Sequence, residues 1–118
     1  PFINDTKENI KGILDYCIEA KVYGIICFDM GVTLRKGNRE YFYQQLDHLF
    51  PGMKEKYIKT YGVKYQLNSP NNNELMQLFH QTCQANGIVH DNNQIFDYLK
   101  KYENKHENIQ LSLFDDIE

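Results

Sequence analysis

Three groups of residues in this 118-residue chain could do chemistry. Asn4-Asp5 and Asp29-Met30-Gly31 each set a carboxylate just after a short apolar run. If those runs are strands, both acids lie at strand C-terminal ends, where α/β folds keep their active sites. Two readings of them stand side by side. Asp5 caps a helix and Asp29 satisfies a turn, or the pair borders an active-site mouth completed by residues upstream. Arg35, Lys36 and Arg39 follow in the next loop, where they could meet a phosphate backbone or remain a solvated loop. The third group is Gln110-Leu111-Ser112-Leu113-Phe114, an apolar island between a polar linker and acids. A short peptide ligand has this form: Gln110 offers directional hydrogen bonding, and Leu111, Leu113 and Phe114 fill pockets at a modest ordering cost. Its other reading is a C-terminal strand packed back on its own domain.

Other chemistries find no support. His48, His80, His90 and His106 fall on different elements, and none pairs with another His, Cys or acid at ligand spacing, so no metal site is expected. There is no phosphate-binding Gly-rich loop, no dinucleotide fingerprint and no nucleophile elbow. Cys17, Cys27 and Cys83 are odd in number, widely separated and embedded in apolar patterns, so they read as reduced core thiols. A net charge of −3 argues against a general nucleic-acid binder, though not against a local basic patch. Lys54, Lys56, Lys59 and Lys64 make such a basic side, which reads first as a solvated face.

The elements that must position these residues follow from periodicity. Val22 to Phe28 is apolar and rich in β-branched and aromatic residues without alternation, as in a strand buried on both faces of a parallel sheet. Pro1 to Asn4 reads as the end of an earlier strand. Between them Asp5 caps a helix, with Glu8 completing the box and Ile10, Ile13, Leu14, Cys17 and Ile18 forming its stripe. Gly24 would let a neighbour approach closely. The result is a right-handed βαβ unit. After it come four helices: Asn38 to Phe50, with Phe42, Leu46, Leu49 and Phe50 inward; Pro51 to Tyr61, burying Met53, Tyr57 and Tyr61; Pro70 to Asn86, burying Leu75, Met76, Leu78, Phe79 and Cys83; and Asp91 to Tyr102, capped by Asp91 with Gln94 completing the box, and with Ile95, Phe96, Leu99 and Tyr102 inward. Asn86-Gly87-Ile88 has the form of a Schellman stop. The fold class expected is thus α/β and helix-rich: a partial (β/α) barrel fragment over 1–37, a helical cluster over 38–102, and an extended tail over 103–118. No run is long and apolar enough to span a bilayer and no signal-peptide pattern opens the chain, so a cytoplasmic protein is expected, excised from a longer one since it begins at Pro1.

The segments PFINDTKENIKGILDYCIEAKVYGIICF, MGVTLRKGNREYFYQQLDHLFPGMKEKYI and SPNNNELMQLFH, with the QLSLF end, together resemble one family. It is the spore photoproduct lyase-like group of radical S-adenosylmethionine (SAM) proteins, the DNA repair photolyase type, and the likeness is to its C-terminal part. The resemblance implies a parent enzyme with a partial (β/α) barrel. An upstream CxxxCxxC segment there would hold a 4Fe–4S iron–sulfur cluster that cleaves S-adenosylmethionine to a 5′-deoxyadenosyl radical. No CxxxCxxC exists in this chain, so the fragment is expected to bind no cofactor and to be inactive alone. By this likeness only Asn4, Asp5, Asp29 and the Arg35–Arg39 loop lie where a substrate site would be. The tail resembles the bacterial sliding-clamp binding pentapeptide, which implies the DNA sliding clamp as partner and DNA as a partner of the parent, with no membrane. The competing reading is a non-catalytic protein-interaction module.

Overall fold

The computed structural model describes residues 1–101; the linker, Tyr102 and the Gln110–Phe114 peptide lie outside the described residues. Five helices and one small sheet occur among those described. They are α1 (Lys7–Glu19), β1 (Gly31–Thr33), α2 (Asn38–Leu49), α3 (Met53–Tyr61), β2 (Gln66–Asn68), α4 (Asn72–Ala85) and α5 over residues 92–101. None is long and apolar enough to cross a membrane.

The strands β1 and β2 pair antiparallel, Gly31 opposite Asn68 and Thr33 opposite Gln66, with α2 and α3 inserted between them. Leu67, at the centre of β2, is fully buried, and around it Leu34, Tyr43, Leu46 and Tyr57 build a first core. Phe2, Phe42, Met53 and Tyr61 close its margin. The second core lies between α1 and α4, where Leu14, Phe79, Cys83 and Ile88 are buried beneath Ile10, Ile18, Val22 and Ile25. Helices α2 and α3 therefore serve the first core and α4 the second.

The segment 22–28 is not a strand. It makes one isolated parallel bridge, Gly24 to Val89, closed by Ile25 N–H donating to the Val89 carbonyl and Val89 N–H to that of Tyr23, each at 2.9 Å. A strand needs a partner along its length for its backbone groups, and here the partner stops. The Asn92 side chain takes both the N–H and the carbonyl of Cys27 in place of a ladder, at 3.2 and 3.3 Å. Gly24 is nonetheless required, since a Cβ there would stand 2.8 Å from the Val89 oxygen. Pro1 to Asn4 is not a strand either. Phe2, at φ 66°, turns its ring against Tyr57 and Tyr61 of the first core. No βαβ unit forms among the described residues.

Local signals fared better, with shifts of one or two residues. Thr6, not Asp5, caps α1, its hydroxyl accepting the Asn9 N–H, while the Asp5 side chain is engaged elsewhere. Gly37, not Asn38, precedes α2, and the Glu40 carboxylate accepts its N–H at 3.0 Å. The expected stripes of α3 and, apart from Leu78, which is only half-buried, of α4 meet the core, and Ile88 N–H returns to the Cys83 carbonyl after Gly87. Asp91 receives the N–H groups of Asn93 and Gln94. Ile13, Leu49, Phe50, Phe96 and Leu99 were expected inward and are exposed, because each helix meets a core along a narrower face than its apolar residues offer.

Candidate functional site

Asp5 and Asp29 do converge, though not on strand ends. Both grip the turn Ser69–Asn72 that joins β2 to α4. Ser69 N–H donates to the Met30 carbonyl at 2.8 Å, and Met30 N–H donates to Asn72 Oδ1 at 2.7 Å, so the turn takes both backbone groups of one residue. On one flank the Ser69 hydroxyl donates to Asp5 Oδ2, and Asn71 Nδ2 donates to the Asp5 carbonyl at 3.3 Å. On the other flank Asn72 Nδ2 donates to Asp29 Oδ1 at 3.0 Å and Gln66 Nε2 to Asp29 Oδ2 at 3.3 Å. Short Ser and Asn side chains suit the turn itself because they also bond locally, as where the Asn71 N–H donates to the Ser69 hydroxyl oxygen at 3.0 Å.

Burial works against ionising Asp5, but the Ser69 hydroxyl and nearby backbone amides outweigh it and hold the carboxyl below its usual range. Ser69 is 4% exposed and its proton points at a carboxylate, with no histidine on either of them, so it is a positioning group rather than a nucleophile. Burial, with Asp29 adding to it, pushes the Cys27 thiol up, which removes it as a thiolate nucleophile near neutral pH.

Three clefts surround β1, and all include Gly31. One of about 290 Å³ has a polar wall of Asp29, Thr33, Gln66 and Asn68 and an apolar rim at Ile26 and Phe28. A second of about 180 Å³ contains Asn4 and Asp5, and a third of about 250 Å³ contains Asn4 and Ile3. Asn4 is exposed, its carbonyl accepting from Asn9 Nδ2 at 2.9 Å. The arrangement holds two carboxylates and several amides in fixed positions beside shallow, half-apolar space. It can orient a polar ligand.

The basic loop makes no ion pair with either acid among the described residues. Arg39 donates to the carbonyls of Val63 and Lys64 at 3.4 and 2.7 Å, and Arg35 Nε to the Tyr65 hydroxyl at 3.1 Å. Both guanidinium groups thus brace the connection between α3 and β2, while Lys36 is exposed.

The three cysteines do not fit an iron–sulfur ligand set. Cys83 is fully buried, and burial, with Cys17 and Cys27 adding to it, pushes its thiol up. No cluster of three or more His, Cys, Asp or Glu able to hold a metal occurs among the described residues. Two histidines expected to stand apart do meet: the Nδ1 atoms of His80 and His90 are 2.7 Å apart. The signal for that pair was the Asn86-Gly87 stop, which turns the chain back along α4. Ser69, Asn71, Asn72 and Gln66 were also missed as partners of the two acids, although the Ser-Pro-Asn-Asn-Asn string announces a turn rich in side-chain hydrogen bonds. Gln110, Leu111, Leu113 and Phe114 lie outside the described residues. Comparison of the chain with protein-family models, with curated proteins and with solved structures gave no match.

Proposed function

We propose that this chain is the C-terminal region of a cytoplasmic radical S-adenosylmethionine enzyme of the spore photoproduct lyase-like, DNA repair photolyase type. In the parent it shapes the substrate side of a partial (β/α) barrel and tethers the enzyme to the bacterial sliding clamp. The observation that carries the reading is the segment 22–28. It is apolar, has one parallel bridge, and leaves Ile26 and Phe28 41% and 67% exposed beside the Asp29 cleft. An apolar segment with a single parallel bridge and exposed side chains is one that added parallel neighbours would bury, which supports the reading. In the parent, residues upstream would hold the iron–sulfur cluster and supply the radical chemistry. This region's own residues would position: Asp29, Gln66 and Asn72 form one hydrogen-bonded wall, and Asp5 with Asn4 a second.

Two measurements test it. Amides 23–28 should exchange with deuterium at least tenfold more slowly in the parent protein than in the 118-residue chain. The parent, reconstituted anaerobically, should form 5′-deoxyadenosine. Equal exchange together with no 5′-deoxyadenosine removes the barrel reading. For the tether, Leu113→Ala with Phe114→Ala should weaken binding to purified bacterial clamp at least tenfold, and unchanged affinity rejects it. A non-catalytic interaction module remains if only the clamp assay responds.

A further inference from the structure

His80 is on the outer side of α4, and His90 follows its C-terminal stop. The reversal after Gly87 brings the two rings to a centroid distance of 4.9 Å with their planes 51° apart. Their Nδ1 atoms, 2.7 Å apart, can touch only if one ring donates a proton and the other accepts it. Two Nδ1 atoms this close can also share a cation in place of that proton.

We propose that His80 and His90 form a bidentate surface site for a late first-row divalent cation, Cu²⁺ or Ni²⁺. The distance selects the class of metal. With metal–nitrogen bonds of about 2.0 Å, cis nitrogens of a square-planar or octahedral centre stand about 2.8 Å apart, and those of a tetrahedral centre about 3.3 Å. The separation of 2.7 Å matches the cis pair closely and falls well short of the tetrahedral one. The order of intrinsic affinities points the same way, with Cu²⁺ above Zn²⁺.

The supports of the two rings differ usefully. His90 is half-buried, edge-on to Phe79 at 6.3 Å and 89°, and Phe79 is itself core, so this ligand is held in place. His80 also stands against Phe79, at 5.1 Å, but is exposed, so water can reach an ion there and complete the coordination. Two imidazoles and no third protein ligand make an exchangeable site rather than a structural one, since structural zinc sites close with four.

The test uses the full 118-residue chain and calorimetric titration with NiCl₂ and ZnCl₂, because Cu²⁺ would also oxidise thiols during a long titration. One Ni²⁺ per chain should bind, more tightly than Zn²⁺. His80→Gln and His90→Gln should each weaken it at least tenfold, while His48→Gln and His106→Gln leave it unchanged. A brief Cu²⁺ loading should give an electron paramagnetic resonance spectrum with nitrogen couplings that His80→Gln reduces. His80 is exposed, so that variant retains the fold, and its thermal melt without metal verifies this. No Ni²⁺ binding, or binding that survives both single variants, overturns the proposal.

Discussion

The two cores are built differently. The first is aromatic and closed by its own hydrogen bonds: Tyr61 Oη donates to the Asn68 carbonyl, Tyr57 Oη to that of Pro1, and two strands pair across it. The second is aliphatic and sulfur-rich, built from two helices and covered by the irregular segment 22–30 instead of a sheet. Charge divides along the same line. Residues 31–69 carry Arg35, Lys36, Arg39, Lys54, Lys56, Lys59 and Lys64 against Glu40, Asp47 and Glu55, whereas residues 1–30 and 70–101 carry eight acids against five lysines. A basic half whose core borrows Pro1 and Phe2 from the chain's start thus stands beside an acidic half with an exposed apolar flank. A neighbouring structural element would act on the second.

The sharpest way to break this comparison is one substitution made in each half. A Cβ on Gly31 would stand 2.3 Å from the Leu67 oxygen and 2.8 Å from the Asn68 Cα, both backbone atoms that cannot yield without parting β1 from β2. On Gly24 it would stand 2.8 Å from the Val89 oxygen, but its other close neighbour is the Ile95 side chain, which can rotate. Gly31→Ala should therefore unfold the first half outright, while Gly24→Ala costs about 1–3 kcal/mol, as overpacking does. Urea melts followed by circular dichroism distinguish them. Equal losses would mean the sheet does not close the first core.

Next in size is Phe79→Ala, expected to cost about 3–5 kcal/mol as a large-to-small change at a buried site. Hydrogen exchange then tells whether the halves are coupled. The Ser69–Asn72 turn joins them through Met30 and Asp5, so protection should fall at Leu67 as well as across α4. Loss confined to α4 and α1 would make the halves independent.

What the sequence disclosed, and what it hid, follows the same physics. The stripe of α4, its stop at Asn86-Gly87 and the Asp91 cap were legible because each depends on neighbours within one or two turns. Val22–Phe28 was misread because an apolar run is only a demand for partners, and whether they exist is not local information. The antiparallel pairing of Gly31–Thr33 with Gln66–Asn68 was hidden for the opposite reason: strands of three residues carry no periodicity. At the candidate site the acids were found from their type and position. Their amide partners were not, since Asn72 is 43 residues from Asp29.

A smaller effect sharpens the role of the turn. Asp5 is held below its usual pKa, so its contribution to stability is present above about pH 4, its unfolded value, and is lost as pH falls through the lower folded value. Ser69→Ala removes the hydroxyl donor and should cost about 1 kcal/mol at neutral pH. It should also flatten the decline in stability below pH 4; an unaltered slope would show that the backbone amides alone hold the carboxyl. At the other end burial, with Tyr61, Asp5 and Tyr43 adding to it, pushes Tyr57 up to about 12. The first core should keep that contribution in full below about pH 10 and lose it as pH rises through about 12, read as tyrosinate absorbance tracking the loss of helix.

The smallest predicted change tests whether the first core is as fully satisfied as its hydrogen bonds suggest. Tyr43 is 8% exposed, and its hydroxyl has no hydrogen-bond partner among the described residues. Its ring packs edge-on to Tyr57 at 6.4 Å and against Phe42 at 5.8 Å, contacts that a phenylalanine would keep. Removing an unsatisfied buried hydroxyl while preserving shape is neutral to stabilising, so Tyr43→Phe should raise stability by up to about 1 kcal/mol. The same change at Tyr61, whose hydroxyl reaches the Asn68 carbonyl, should lower it by a similar amount. Opposite signs for two tyrosines lining one core would locate its hydrogen-bonding at the rim facing β2. Destabilisation by Tyr43→Phe would instead show that its hydroxyl is engaged.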